Sequence, residues 1–421
     1  MFSFKCKYFN QGKEFLSRIK DDLHRHFFSL IFFGFTECCT LLKKLQRHPQ
    51  SFDMKRIQNL FLFIMLIAIN AYGQNASRID IAIPFLTITP DAIAGGLGEQ
   101  GIATPADVFS QQWNPAKYTY SDFSYGIGSS YTPYLSQLVD DIFLGNVNAF
   151  GRINDRSIWA ASIRYFSLGE FEKTDIIQNS ILGLGFEHPN ELAIDFSYAL
   201  EMGEAFSLSV TGRLISSDLK TNNDAHPNAA ISFGADVSGF HQGDWKKWGQ
   251  NMVLWRYGFR ISNLGPKIRY DGPRSRSSFI PTNLGIGAGM DLRLETSNIL
   301  GFYAEFNKLL VPTTKQCQKD NQSCQDIGLL EGVFTSFSSE ENQFNLISYS
   351  IGTSFSFRDQ FILRAGYFGE SEIKGPRRFF TVGTGMKRRN LNIDFSYLFV
   401  VSSTPSPLDN TLRLSASWLW N

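Results

Sequence analysis

The chain has 421 residues, of which 43% are hydrophobic and 14% aromatic, and its 35 glycines accompany only 19% charged residues. That is too apolar for a disordered chain. Its 40 Lys+Arg against 39 Asp+Glu leave a formal charge of +1, so it carries no basic field to hold a nucleic-acid backbone.

The first readable element begins at Met54. Lys55 and Arg56 precede an uncharged apolar stretch from Leu60 to Ile69, and the small residues Ala71 and Gly73 follow before Gln74. This is the grammar of a secretory signal peptide, and the stretch is shorter than the roughly 18 residues a spanning helix needs. Such a leader works only at the start of a chain. Residues 1–53 are therefore expected to be a mis-assigned extension, 54–73 the signal peptide, 74–121 an N-terminal plug segment and 122–421 a transmembrane barrel. Within the plug, Gly96, Gly98 and Gly101 have the spacing of a dinucleotide fingerprint. A true fingerprint follows a strand and opens a helix, whereas Pro90 and Pro105 flank this one. The glycines read instead as permissive points in a tightly folded segment.

From Asp122 onward the dominant period is two. Between Asn390 and Val400, Leu391, Ile393, Phe395, Tyr397 and Phe399 alternate with Asn392, Asp394 and Ser396, the pattern of a two-faced strand. The same alternation predicts fourteen strands, near 122–131, 142–151, 156–166, 191–201, 204–216, 227–239, 251–264, 280–295, 299–310, 344–357, 360–371, 377–388, 390–401 and 410–420. They are about twice the five or six residues usual in soluble sheets. Short links follow the even-numbered strands, and the long links 167–190, 265–279 and 311–343 follow odd ones. That parity matches an all-β, fourteen-stranded antiparallel outer-membrane barrel, with short periplasmic turns, long outer loops and aromatic girdles containing Tyr131, Tyr165, Trp255 and Trp418.

If the apolar face meets lipid, the polar face lines the lumen. Its charges are Asp195, Asp236, Asp291, Glu305 and Asp394 against Arg213, Arg256, Arg260, Arg293, Arg364 and Arg413. Such a balance points to cross-strand ion pairing rather than to an ion-selective pore. Gly285, Gly287 and Gly289 leave a bare backbone groove on the same face, where Ile83–Lys117 is expected to pack. Cys317 and Cys324 share the longest outer loop, and an oxidising compartment favours a disulfide between them. Two thiols without nearby histidine do not make a closed zinc site. His188, His226 and His241 fall in predicted links, and neither G-x-S-x-G nor H-E-x-x-H occurs. The expectation is a non-enzyme with no cofactor or metal.

Four segments carry a family resemblance: PFLTITPDAIAGGLGEQGIAT at 84–104, WNPAKY at 113–118, SYTPYLSQLVDDIFL at 130–144 and IRYFSLGEF at 163–171. Together they resemble the PorV family, outer-membrane proteins of the type IX secretion system in Bacteroidetes and a branch of the FadL-like barrels. The resemblance spans residues 79–421. Asn114, Pro115 and Ala116 match the plug motif shared with the wider superfamily, while Leu138, Val139, Asp140 and Asp141 are the more specific part. The family lacks the N-terminal extension, which supports a start at Met54.

The resemblance implies a non-enzymatic carrier in the bacterial outer membrane. Such proteins bind the C-terminal signal domain of type IX cargo at the translocon and pass it to a sortase-containing attachment complex. A FadL-like channel for hydrophobic small molecules is the alternative, since both would use a filled barrel with large outer loops. A shuttle needs exposed apolar loop surface, whereas a channel needs an apolar pocket inside. The loop residues Phe279, Ile280, Leu329, Leu330, Phe334 and Phe337 are expected to contact cargo.

Overall fold

The computed structural model describes residues 79–136, 139–177, 180–219, 229–270, 277–295, 297–319, 324, 326–338, 343–371, 377–400 and 408–421. The expected extension 1–53, the signal peptide 54–73 and the start near Gln74 lie outside the described residues, as do Leu138 and His226.

Successive side chains of an extended backbone point to opposite faces, so the period of two becomes two surfaces. The strands are β1 (Tyr125–Pro133), β2 (Ile142–Asn154), β3 (Ser157–Leu168), β4 (Asn190–Gly203), β5 (Phe206–Asp218), β6 (Ala230–Gln242) and β7 (Asn251–Leu264). They continue as β8 (Asn283–Glu295), β9 (Asn298–Leu309), β10 (Ile347–Phe357), β11 (Phe361–Gly369), β12 (Arg378–Arg388), β13 (Leu391–Val400) and β14 (Leu412–Trp420). Each pairs antiparallel with its neighbour in the chain, and the barrel closes where β14 meets β1, with Trp420 opposite Tyr125.

The faces are inverted relative to a soluble sandwich. On β4, Glu191, Ala193, Asp195, Ser197 and Ala199 are buried, while Ile194, Phe196 and Tyr198 are exposed. Outward-facing rows of large apolar side chains suit a lipid surround, and closure leaves no unpaired edge within it. Rings gather at both rims. Tyr125 stacks on Trp420 at the turn end, and Phe143 lies between Tyr131 and Tyr165 at the loop end, with centroids 5.4 and 6.1 Å away.

Residues 79–120 run down the lumen from the loop end to the turn end, where β1 begins. Ile81 forms a parallel bridge to Phe279, in the long link after β7. Below it come a 3-10 turn (Pro84–Thr87), α1 (Ala92–Gly95), α2 (Ser110–Trp113) and a 3-10 helix (Pro115–Tyr120). β1 starts at Tyr125 rather than near Asp122 because the preceding residues turn out of the plug, and the Ser124 N–H donates to Asn421 Oδ1 at 2.8 Å.

Two long loops hold structure that alternation alone does not reveal. The link after β3 contains a separate hairpin of Phe171–Ile177 and Ser180–Glu187, whose register shifts between Lys173 and Thr174. A bulge of this kind breaks the period of two. The link after β9 folds into α3 (Thr314–Lys319) and α4 (Leu329–Thr335). His241 is not in a link: it lies in β6 opposite Phe206 and Tyr257.

Candidate functional site

The residues singled out by the sequence gather at two places, the lumen and the loop end. In the lumen, Ala92 to Ala103 sweep around the wall from β14 to β8. The Ala92 N–H donates to Ser415 Oγ on β14 at 2.8 Å and the Gly98 N–H to Thr381 Oγ1 on β12 at 2.9 Å. The N–H groups of Gly101 and Ile102 both reach Glu305 Oε2 on β9, at 2.9 and 2.8 Å. The expected groove on β8 is filled: a Cβ on Gly287 would stand 3.1 Å from Ala103 Cβ, and one on Gly289 would overlap the Ala103 carbonyl oxygen. A second groove, not anticipated from the sequence, comprises Gly352, Gly366 and Gly383 on β10 to β12. There the backbone of Leu97 and Gly98 lies so close that any side chain at Gly366 would overlap it.

The Asn114-Pro115-Ala116 motif joins plug to wall. Asn114 Nδ2 donates to the carbonyls of Ile102 (3.1 Å) and Gly239 (3.0 Å) on β6, and its Oδ1 accepts the Ala116 N–H. Pro115 opens the 3-10 helix, where a missing N–H costs nothing. The Ala116 carbonyl accepts from Ser207 Oγ on β5 at 2.8 Å. Beside the motif, buried Lys117 donates to the Gly101 carbonyl at 2.7 Å and lies 3.7 Å from Asp107, while burial lowers its pKa. Asp91 caps α1 by accepting the Ala94 N–H and also accepts from Trp113 Nε1, both at 2.8 Å. Burial first, then the Asp107 carboxylate, pushes the Asp91 pKa up to about 6.

The lumen charges pair across strands. Asp195 and Asp236 flank Arg213 at 2.6 and 3.1 Å, Arg260 meets Asp236 at 2.5 Å, Arg256 meets Asp291 at 2.6 Å and Arg364 meets Asp394 at 2.7 Å. Arg413 reaches Glu99 of the plug at 2.5 Å. Two of the expected lumen charges differ. Glu305 accepts plug backbone rather than an arginine, and Arg293 lies over the Trp245 ring, 4.1 Å from its centroid. Arg164 was not among the expected charges, although its place between Ile163 and Tyr165 on β3 would have put it on the polar face.

At the loop end, the six expected cargo contacts separate into a buried pair, one half-buried residue and an exposed trio. Phe279 and Ile280 are 5% and 1% exposed: Phe279 clusters with Ile79 and Ile81 of the plug's N-terminal arm and the loop core of Val311, Cys317 and Ile327, and Ile280 clusters with Ala82 and Ile83 of the same arm. They are therefore corrected from contact residues to supports, because an apolar loop segment next to a parallel bridge is covered by the strand that makes the bridge. Leu330, Phe334 and Phe337 are 68%, 73% and 49% exposed. Their spacing of four and three places them on one stripe of α4 and its C-terminal turn. Leu329 is half-buried, and Gly332 packs on the Phe279 ring. The Cys317–Cys324 disulfide ties the loop. Lys267 lies over the Phe279 ring at 4.1 Å and donates to the Cys324 carbonyl at 2.6 Å, while Lys308 Nζ lies 5.2 Å from the Phe337 ring centroid. Val139, Asp140 and Asp141 are exposed at the same end, where Asp141 accepts the Glu170 N–H at 2.6 Å. Among the described residues no cluster of His, Cys, Asp and Glu is arranged to hold a metal.

A family model described as type IX secretion system protein PorV matches residues 71–316. No curated protein matches the sequence. Among solved structures, the chain is similar to the CymD monoaromatic hydrocarbon channel at 11% identity, covering 80% of this chain and 98% of that one, with a TM-score of 0.44. It is similar to the toluene transporter TodX of P. putida at 9% identity, with 79% and 98% covered and a TM-score of 0.45. A FadL homologue of Pseudomonas aeruginosa gives 13% identity, 79% and 99% covered and a TM-score of 0.39.

Proposed function

This chain belongs to the PorV family of type IX secretion system proteins, and from that premise we propose that it is a non-enzymatic outer-membrane carrier of secreted cargo. Residues 54–73 direct its export. In the outer membrane it binds the C-terminal signal domain of cargo at the translocon and passes it to the sortase-containing attachment complex. The observation that carries this reading is the outward stripe of Leu330, Phe334 and Phe337, held in place by a disulfide-tied loop. Apolar side chains presented together to water on a braced element are what a protein partner covers.

The channel reading has less support. A channel for apolar solutes needs an apolar interior, whereas the strands here turn serines, threonines and paired charges inward onto a seated plug. Deleting residues 318–340 is expected to leave a folded barrel, judged by heat-modifiable gel mobility, while abolishing cargo co-purification and surface display. Retained secretion with the deletion in place would overturn the carrier reading.

A further inference from the structure

One part of the lumen wall gathers several buried polar atoms without protein partners. Ser130 on β1, Asn146 on β2 and Arg164 on β3 stand directly opposite one another across three strands, and Asn148 follows Asn146 on the same face. Cross-strand neighbours of this kind lie about 5 Å apart. Phe109 covers Gly128, the residue opposite Asn148, and α2, which carries Gln111, packs on β3. These five side chains are all at least nine-tenths buried. Both amide atoms of Asn146, Asn148 and Gln111 have no protein partner, nor do Ser130 Oγ and Arg164 Nε and Nη1.

The charges here do not cancel. Those facing Arg164 are Asp195, Arg213, Arg260 and Asp236. Both oxygens of Asp195 are held by Arg213, at 2.6 and 3.1 Å, and Asp236 is shared by Arg213 and Arg260. Arg164 reaches only one Asp195 oxygen, at 3.5 Å. Three guanidinium groups thus share two carboxylates, an excess of one positive charge. Apolar clusters close the region at both ends, with Phe85, Leu144 and Phe166 toward the loops and Val108, Tyr118 and Phe150 toward the turns.

Burying an uncompensated charge costs several kcal/mol, and buried amides without partners add to that cost. Water would satisfy the hydrogen bonds but leave the charge. We propose that Ser130, Asn146, Asn148, Arg164 and Gln111 form an internal site for one small monovalent anion of halide or formate size. The anion neutralises the surplus guanidinium and accepts N–H and O–H groups from both wall and plug, fastening α2 to β1–β3. The site is independent of cargo binding.

Crystals of the full barrel grown with bromide in place of chloride test this directly. The expected result is one anomalous peak within hydrogen-bonding reach of Arg164 and Asn146, absent in Arg164→Met. If Arg164→Met does not yield a folded barrel, Asn146→Leu takes its place and must likewise lose the peak. In detergent at constant ionic strength, the melting temperature should rise with bromide when it replaces gluconate, and that rise should vanish in the variant. Ordered water without anomalous signal at this position, or a peak that survives both substitutions, would overturn the proposal.

Discussion

The lumen and the loop end answer the same question, what to do with buried or exposed side chains, in opposite ways. Inside, plug backbone meets wall backbone across two glycine grooves, and carboxylates and guanidiniums pair across strands. Outside, α4 turns Leu330 and Phe334 away from the loop core that Phe279 supports. The inner surface is organised to close and the outer one to be covered by something else. A barrel devoted to conduction would show the reverse.

The largest test of this contrast is to break a buried pair. Arg364→Met leaves buried Asp394 without its ion-pair partner, and removal of one member of a buried ion pair costs about 3–5 kcal/mol. Unfolding in lipid bilayers should show a loss of that size. A lipid-facing charge comes next: Phe395→Arg is expected to cost about 2–4 kcal/mol. Ser396→Arg should cost the barrel less, but it strikes the plug, since Ser396 Oγ lies where a Cβ on Gly95 would stand, 2.6 Å away. Its effect should therefore be raised conductance in planar bilayers, and Gly366→Trp should act the same way. Silent bilayers for both would mean that the plug is not what seals the lumen.

A smaller effect follows from Asp91, whose N–H partners Ala94 and Trp113 partly offset the cost of burial. Its pKa is raised from 3.8 to about 6, so the seated plug holds the proton more tightly than the released one. The stabilisation is fully present below 3.8 and is lost as pH rises through 6. Protease access to the plug should increase over that interval, and Asp91→Asn should flatten the dependence.

Much of this contrast was legible in the sequence, and for identifiable reasons. Long strands such as Leu391–Val400 declare themselves because one face must be apolar and the other polar along their whole length. The β8 groove was legible because three glycines alternate within ten residues of a strand. The β10–β12 groove was not, since Gly352, Gly366 and Gly383 become neighbours only through strand pairing. The same limit applies to Phe279 and Ile280: an apolar loop residue reads identically whether it faces solvent or a plug arm nearly two hundred residues away. The α4 stripe was half-legible, as its residues were named but their helical spacing was hidden in a short element.

The central claim is that binding resides on the outer stripe and not in the lumen. It is tested most directly by the double variant Leu330→Asp, Phe334→Asp in the otherwise unchanged chain. Both side chains are solvent-exposed, so stability should move by no more than about 0.5 kcal/mol each. Heat-modifiable mobility should be retained while cargo no longer co-purifies with the barrel. Full cargo recovery with the double variant, together with its loss in a plug-displacing variant such as Gly366→Trp, would place the binding site inside and contradict the account.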